Sequence, residues 1–214
     1  MVPARGTELR AAALYAALTE FERLAALAPL APELADRLAV ADAVGARYRR
    51  LRAALDRFGI ADEVPADVSA AAGSSAAAVD DARRRTATVE WWEGLVAADV
   101  CGTLSDELFA ALGDDVADTG DASGGLAADE PGGEPADARA PVPVLPVERI
   151  HAALADDPVL AARLALWARR LAGEWIVLAR TLGADRYPEL ADRLALAHTA
   201  RLAELGLGRA VPVD

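Results

Sequence analysis

The sequence predicts an all-α helical bundle, and three observations carry that reading. Apolar residues recur every three or four positions in each long periodic segment, which is the period of one face of a helix. The 54% hydrophobic content rests largely on Ala and Leu, with few β-branched or aromatic residues, a composition that favours helix over sheet. Gly and Pro stand between the periodic segments, where helices stop and turns begin. At 214 residues the chain can bury a sizeable core, and residues 1–214 are read as one domain.

Thr7 can cap a first helix whose inner face is Leu14, Leu18, Phe21 and Ala25, with Ala17 beside them. Glu20 and Glu22 fall away from that face. Pro29 and Pro32 break the helix. A second helix runs from about Pro32 to Phe58, with Leu34, Leu38, Ala41, Gly45, Tyr48 and Leu55 inward and Val44 on the same face. Its cluster Arg47, Arg49, Arg50 and Arg52 reads as a solvated face pairing with acids one turn away, ahead of a phosphate site. From Gly59 to about Arg85 the chain is rich in Ala, Ser, Asp and Gly and reads as a loop or a frayed short helix.

A third long helix begins near Thr88, with the stripe Trp91, Leu95, Ala98, Gly102, Ser105, Phe109 and Leu112. Its small middle admits a close neighbouring helix or a pocket, and close packing is the favoured use. Beyond Gly113 one or two more turns are expected. Gly120–Leu145 carries Gly, Pro and acid with almost nothing to bury, and is expected to be a disordered insertion. Pro146 and Glu148 open a short helix. The helix from Pro158 to Gly183 organises the chain: Leu160, Leu164, Trp167, Leu171, Trp175, Leu178 and Leu182 form one stripe. Asp156 and Asp157 suit its start and Gly183 its stop. A last helix carries Leu190, Leu194, His198, Arg201 and Leu205.

The net charge of −12 argues against a general affinity for nucleic-acid phosphates. The single Cys101 excludes an internal disulfide and suits a reducing cytoplasm. The opening MVPARGTELR lacks the apolar run of a signal peptide, and no run is long and uncharged enough for a bilayer. A cytoplasmic protein without a membrane partner is expected. His151 and His198 are the only histidines, and neither sits in a Glu-x-x-His or His-x-x-x-His pair. His198 reads first as a core or rim histidine satisfied by a carboxylate or carbonyl. Glu174 reads first as the partner of Arg170 and second as an inward metal carboxylate. Cys101 has no His or Cys beside it to activate it.

The segments ALTEFERLAALAPLAPELADRLAVADAVGARYRRLRAAL, VEWWEGLVAADV, VADTGD, PVERIHAALADDPVLAARLALWARRLAGEW and AHTARLAELGL, in this order, resemble a family of ferritin-like proteins from high-GC bacteria. These are similar to the tRNA 2-methylthio-isopentenyladenosine hydroxylase (MiaE-like). The resemblance covers nearly the whole chain outside Gly120–Leu145. It implies a ferritin-like bundle, four core helices with additional C-terminal ones. In the hydroxylase itself it implies a di-iron centre held by carboxylates and histidines, which activates oxygen. By that resemblance the ligand positions fall on Ala17, on Val44 and Arg47 in place of Glu-x-x-His, on Gly102, and on Asp118 and Asp121. Only Asp118 keeps its residue type, and Asp121 stands where a His is expected. Ala17, Val44 and Gly102 are expected to meet at the middle of the bundle. Their side chains offer a cation no lone pairs, and a carboxylate placed at Val44 in such a dry face is expected to cost about 2–4 kcal/mol.

The resemblance thus implies a degenerate di-iron site with no metal or cofactor, and a non-catalytic binding or structural scaffold. Its partner is a protein or a small molecule, and a homodimer is one expected form. The alternative is a retained di-iron oxygenase of the MiaE-like type acting on modified tRNA or a small molecule, with Asp118, Asp121, Glu174 and His198 as ligands. A small-molecule binder using the vacated cavity is a third reading.

Overall fold

A computed structural model describes residues 5–57, 68–118, 145–183 and 189–208. These residues form α1 (Arg5–Ala25), α2 (Leu34–Arg57), α3 (Val68–Ala72), α4 (Ser74–Arg85), α5 (Trp91–Asp118), α6 (Val147–Asp156), α7 (Pro158–Gly183) and α8 (Leu190–Glu204). A 3-10 turn, Ala28–Leu30, joins α1 to α2. No strand occurs among the described residues. No described helix is long and apolar enough to cross a membrane. Residues 120–144 of the expected insertion lie outside the described residues, whereas Leu145, its expected last residue, is buried in the core.

The helix at the centre is α5, which packs against α1, α7 and α8. Every residue from Gly94 to Gly102 is buried, so this stretch is enclosed all round rather than on one stripe. The further turns expected beyond Gly113 are present, since α5 continues to Asp118. One charge comes inside with it. Asp99 accepts two hydrogen bonds from Arg201 of α8, Nε to Oδ2 and Nη2 to Oδ1, both at 2.6 Å.

On α1 the buried line is Ala13, Ala16, Glu20 and Leu24, rotated from the expected face. The helix begins at Arg5, ahead of Thr7. Leu14 joins a side cluster with Leu55, Ala17, Leu18 and Leu51, and Ala25 is exposed. The alanines decide this orientation, because small side chains let α3, α4 and α5 come close. The same closeness explains α3 and α4, where a loop or frayed turn was expected. Ala72, Ala76, Val79 and Ala82 are buried at helical spacing and pack on α1 and α7.

The face of α2 is likewise reversed over its first turns, although Leu55 near its end is buried as expected. Asp36, Val40 and Ala43 are buried, while Leu34 and Leu38 are exposed. Its inward charges have partners. Asp36 meets Arg149 of α6 at 2.7 and 3.0 Å, and Arg50 donates to Asp106 of α5 at 2.9 Å. Buried polar groups must be matched, and here the matching carboxylates and guanidiniums fix which side of α2 faces in.

The stripe on α7 is as expected, with Leu164, Leu171, Trp175 and Leu178 buried. Asp157 both ends α6 and starts α7, for its Oδ1 accepts from the Leu160 N–H at 2.9 Å. Replacing Asp157 with Ala should therefore cost about 1 kcal/mol in urea unfolding, as lost N-caps do. Asp156→Ala, without that bond, is the control, and equal effects in the two variants would deny the cap.

Candidate functional site

The chemically distinctive place lies inside the bundle, where α1, α2, α5 and α7 bring together Glu20, Arg23, Arg47, Cys101 and Trp175. Helical spacing puts Glu20 in line with Ala16 and Leu24, so burying that line buries the carboxylate. Its Oε2 lies 2.9 Å from Arg23 Nε, close enough for an ion pair but without an aligned hydrogen bond at either atom. Arg23 is held elsewhere by the end of α4: Nη1 donates to the Thr86 carbonyl and Nη2 to Thr86 Oγ1, each at 2.8 Å. Thr86 Oγ1 in turn donates to the Ala82 carbonyl at 2.8 Å. A small cavity beside Glu20, lined by Thr19, Arg23, Thr86, Trp175 and Leu178, has room for about one water.

Burial raises the Glu20 carboxyl above its usual 4.5, and the nearby Arg23, Arg47 and Arg83 work against that rise. Burial, with Glu20 nearby, pushes the Cys101 thiol up to about 12, although Trp175 hydrogen-bonds its side chain. A thiol held there is protonated at neutral pH and is a poor nucleophile. The cluster has two guanidiniums and one carboxylate, and no histidine to act as a base.

The expected ligand positions separate. Arg47 and Gly102 do meet: the guanidinium of Arg47 lies against the Gly102 α-carbon, in the space a Cβ would fill. Arg47 Nη1 also donates to the Ala98 carbonyl at 3.4 Å, and Nη2 is 3.9 Å from Asp106 Oδ2. The small middle of α5 is thus used by a side chain of α2. Ala17 does not join them, because it packs in the side cluster around Leu14 and Leu55. Val44 is half-buried against the main core. The face is not dry there, so a Glu at Val44 keeps some water and the expected 2–4 kcal/mol is too large. Asp118 is the last residue of α5, and Asp121 lies outside the described residues.

Glu174 pairs with Arg85 of α4 at 3.0 Å, while Arg170 stands over the Trp167 ring at 5.7 Å. The Arg170–Glu174 pair is therefore replaced by a link between helices. His198 is buried, its Nε2 is 3.0 Å from the Ala168 carbonyl, and burial lowers its pKa. The basic cluster of α2 is divided: Arg52 pairs with Asp56 at 3.3 Å, Arg50 reaches Asp106, and Arg47 turns inward. No group of three or more His, Cys, Asp or Glu arranged to hold a metal occurs among the described residues.

Glu20 and Arg23 are the residues of this cluster that sequence reasoning missed. The available signal was their spacing: Glu20 is seven residues after Ala13 and seven before Leu27, both buried, and Arg23 follows at i+3, where it can reach the acid.

A family model described as a ferritin-like domain of actinomycetes matches residues 4–198 of the chain. Among curated proteins none matches it.

Proposed function

We propose, for a chain that belongs to the ferritin-like domain family of actinomycetes, a non-catalytic role: a bundle kept as a binding or structural scaffold without a di-iron centre. The observation that carries this reading is the Arg47 guanidinium seated on Gly102, the two positions where the resemblance implies a His and an acid. A pair of irons in such a bundle needs about six inward carboxylate and imidazole ligands. A guanidinium has no lone pair to give and repels a cation. Of the carboxylates near it, Asp106 accepts from Arg50 and Glu20 is already matched by Arg23, and the His198 Nε2 is engaged with a carbonyl. These residues do not fit a di-iron centre. They supply an internal positive charge of their own.

The cavity beside Glu20 holds about one water, far below the ~300 Å³ or more of a typical ligand site. That favours a protein partner over a small molecule. The test is metal analysis of untagged protein followed by anaerobic iron titration. No stoichiometric iron and no oxygen uptake are expected. Two irons bound per chain, with oxygen consumed on exposure to air, would sink the scaffold reading and favour the MiaE-like hydroxylase alternative.

A further inference from the structure

The helix α2 carries its most continuous apolar stripe on the outside. Leu34, Leu38, Ala41, Gly45 and Tyr48 follow at intervals of four, three, four and three residues, which puts them on one helical face. Leu34 is 71% exposed, and Leu38 and Tyr48 are each 59% exposed. The opposite face holds Asp36, Val40, Ala43 and Arg47 against the bundle. Exposed apolar residues elsewhere differ in arrangement. Val159, Leu166 and Val177 on α7 stand two or three turns apart among arginines, and scattered singles need no explanation.

We infer that α2 packs against α2 of a second copy of this chain, antiparallel, about a two-fold axis passing close to Gly45. Charge placement selects this occupant and this direction. Asp42 and Arg49 lie on the same edge of the stripe, seven residues or about two turns apart. Both are exposed, and neither belongs to an ion pair within the described chain. In an antiparallel pair centred between Gly45 and Ala46, each Asp42 faces Arg49 of the other copy, and the contact occurs twice, as two-fold symmetry requires. In a parallel two-fold pair each edge of the stripe meets the opposite edge, so Asp42 and Arg49 would not face each other and Arg49 would lie beside Val44.

Net charge points to the same face. Two copies at −12 each repel one another. Along this face the exposed Arg37, Arg49 and Arg52 offset Glu33, Asp42 and Asp56, so it is close to neutral and adds little repulsion.

Packing and area are consistent with this arrangement. Ala41 and Gly45 at the middle let the helix axes approach, and Tyr48 then lies over Gly45 of the other copy. At their exposures the three large side chains offer roughly 400 Å² per copy, and with the flanking arginine stems the pair nears the ~1,000 Å² of a specific interface. The inference does not depend on whether the interior binds metal.

Sedimentation equilibrium of the full chain, with five variants, tests it. The parent should be dimeric at micromolar concentration. Leu38→Glu should be monomeric with an unchanged helical spectrum. Asp42→Arg and Arg49→Asp should each weaken the dimer about tenfold or more by opposing like charges, and the double exchange should recover most of that loss. Gly45→Cys should cross-link two copies under mild oxidation. An added Cβ there meets only Arg49 Nη1, at 3.5 Å, and the buried Cys101 does not compete. A parent that stays monomeric, a dimer indifferent to Leu38→Glu, a double exchange that fails to recover, or a dimer that Gly45→Cys cannot cross-link would each overturn the inference.

Discussion

Replacing Arg201 with Ala is expected to cost about 3–5 kcal/mol of folding stability, the range for breaking a buried ion pair by removing one partner. The pair joins α8 to the innermost stretch of α5, and both side chains are almost wholly buried, at 4% and 2% exposure. Its two parallel N–H···O bonds match the fork of the guanidinium to the carboxylate. Without Arg201 the Asp99 carboxylate is left in the core with neither water nor cation. Asp99→Ala should cost as much, since it strands the guanidinium, with only the half-exposed Glu204 still bonded to it. Changing both to apolar residues, Asp99→Leu with Arg201→Met, should recover much of the loss, because neither charge then remains to be desolvated. Added salt should matter little for so enclosed a pair. Urea unfolding measures all three variants. An Arg201→Ala protein within 1 kcal/mol of the parent would mean that water reaches Asp99 or that another cation replaces Arg201.

The sequence made most of the helices legible and some of their faces illegible, and the reason is physical. Along α7 the large apolar residues are also the buried ones, so the period alone gave both the helix and its inner side. Asp157 and Pro158 marked its start because caps act locally. On α1 and α2 several of the large residues, such as Leu18, Phe21, Leu34 and Leu38, are not the innermost. Alanine fills the closest contacts of α1, and paired charges turn α2 around, so a face chosen by hydrophobicity is the wrong one. Partners such as Arg149 for Asp36 lie more than a hundred residues away, and no local pattern shows them. The small residues of α3 and α4 carry little hydrophobic signal and are helical because α1 offers them an alanine surface.

The candidate site was half legible for the same reason. The stripe Ala98, Gly102, Ser105 announced a space beside α5, and its filling by Arg47 is a tertiary fact. A guanidinium on a glycine, with a carboxylate matched by a second arginine, makes a polar interior that holds its own charge. Such an interior accounts for a polar centre around which, among the described residues, no group of three or more His, Cys, Asp or Glu is arranged to hold a metal.

Glu20→Leu should destabilise by roughly 2–4 kcal/mol, because it leaves the Arg23 guanidinium inside the bundle without its carboxylate. The bonds from Arg23 to Thr86 remain, which keeps the loss below that for Arg201. Glu20→Gln isolates the charge, since the amide fills nearly the same space and cannot ionise. Burial holds the folded carboxyl above the 4.5 of the unfolded chain. Below 4.5 the acid is protonated in both states, so the charge contributes no pH dependence there. As pH rises from 4.5 through the folded value, the unfolded chain gives up its proton first, and the parent loses stability that the neutral side chain had contributed. Glu20→Gln has no such step. The stability of the variant relative to the parent should therefore be flat below 4.5, rise across the window, and level off above it. Guanidinium-chloride unfolding at a series of pH values reads this difference directly. Parallel profiles for parent and Glu20→Gln would show that Arg23, Arg47 and Arg83 fully offset the burial and that Glu20 ionises in the folded bundle as readily as in the unfolded chain.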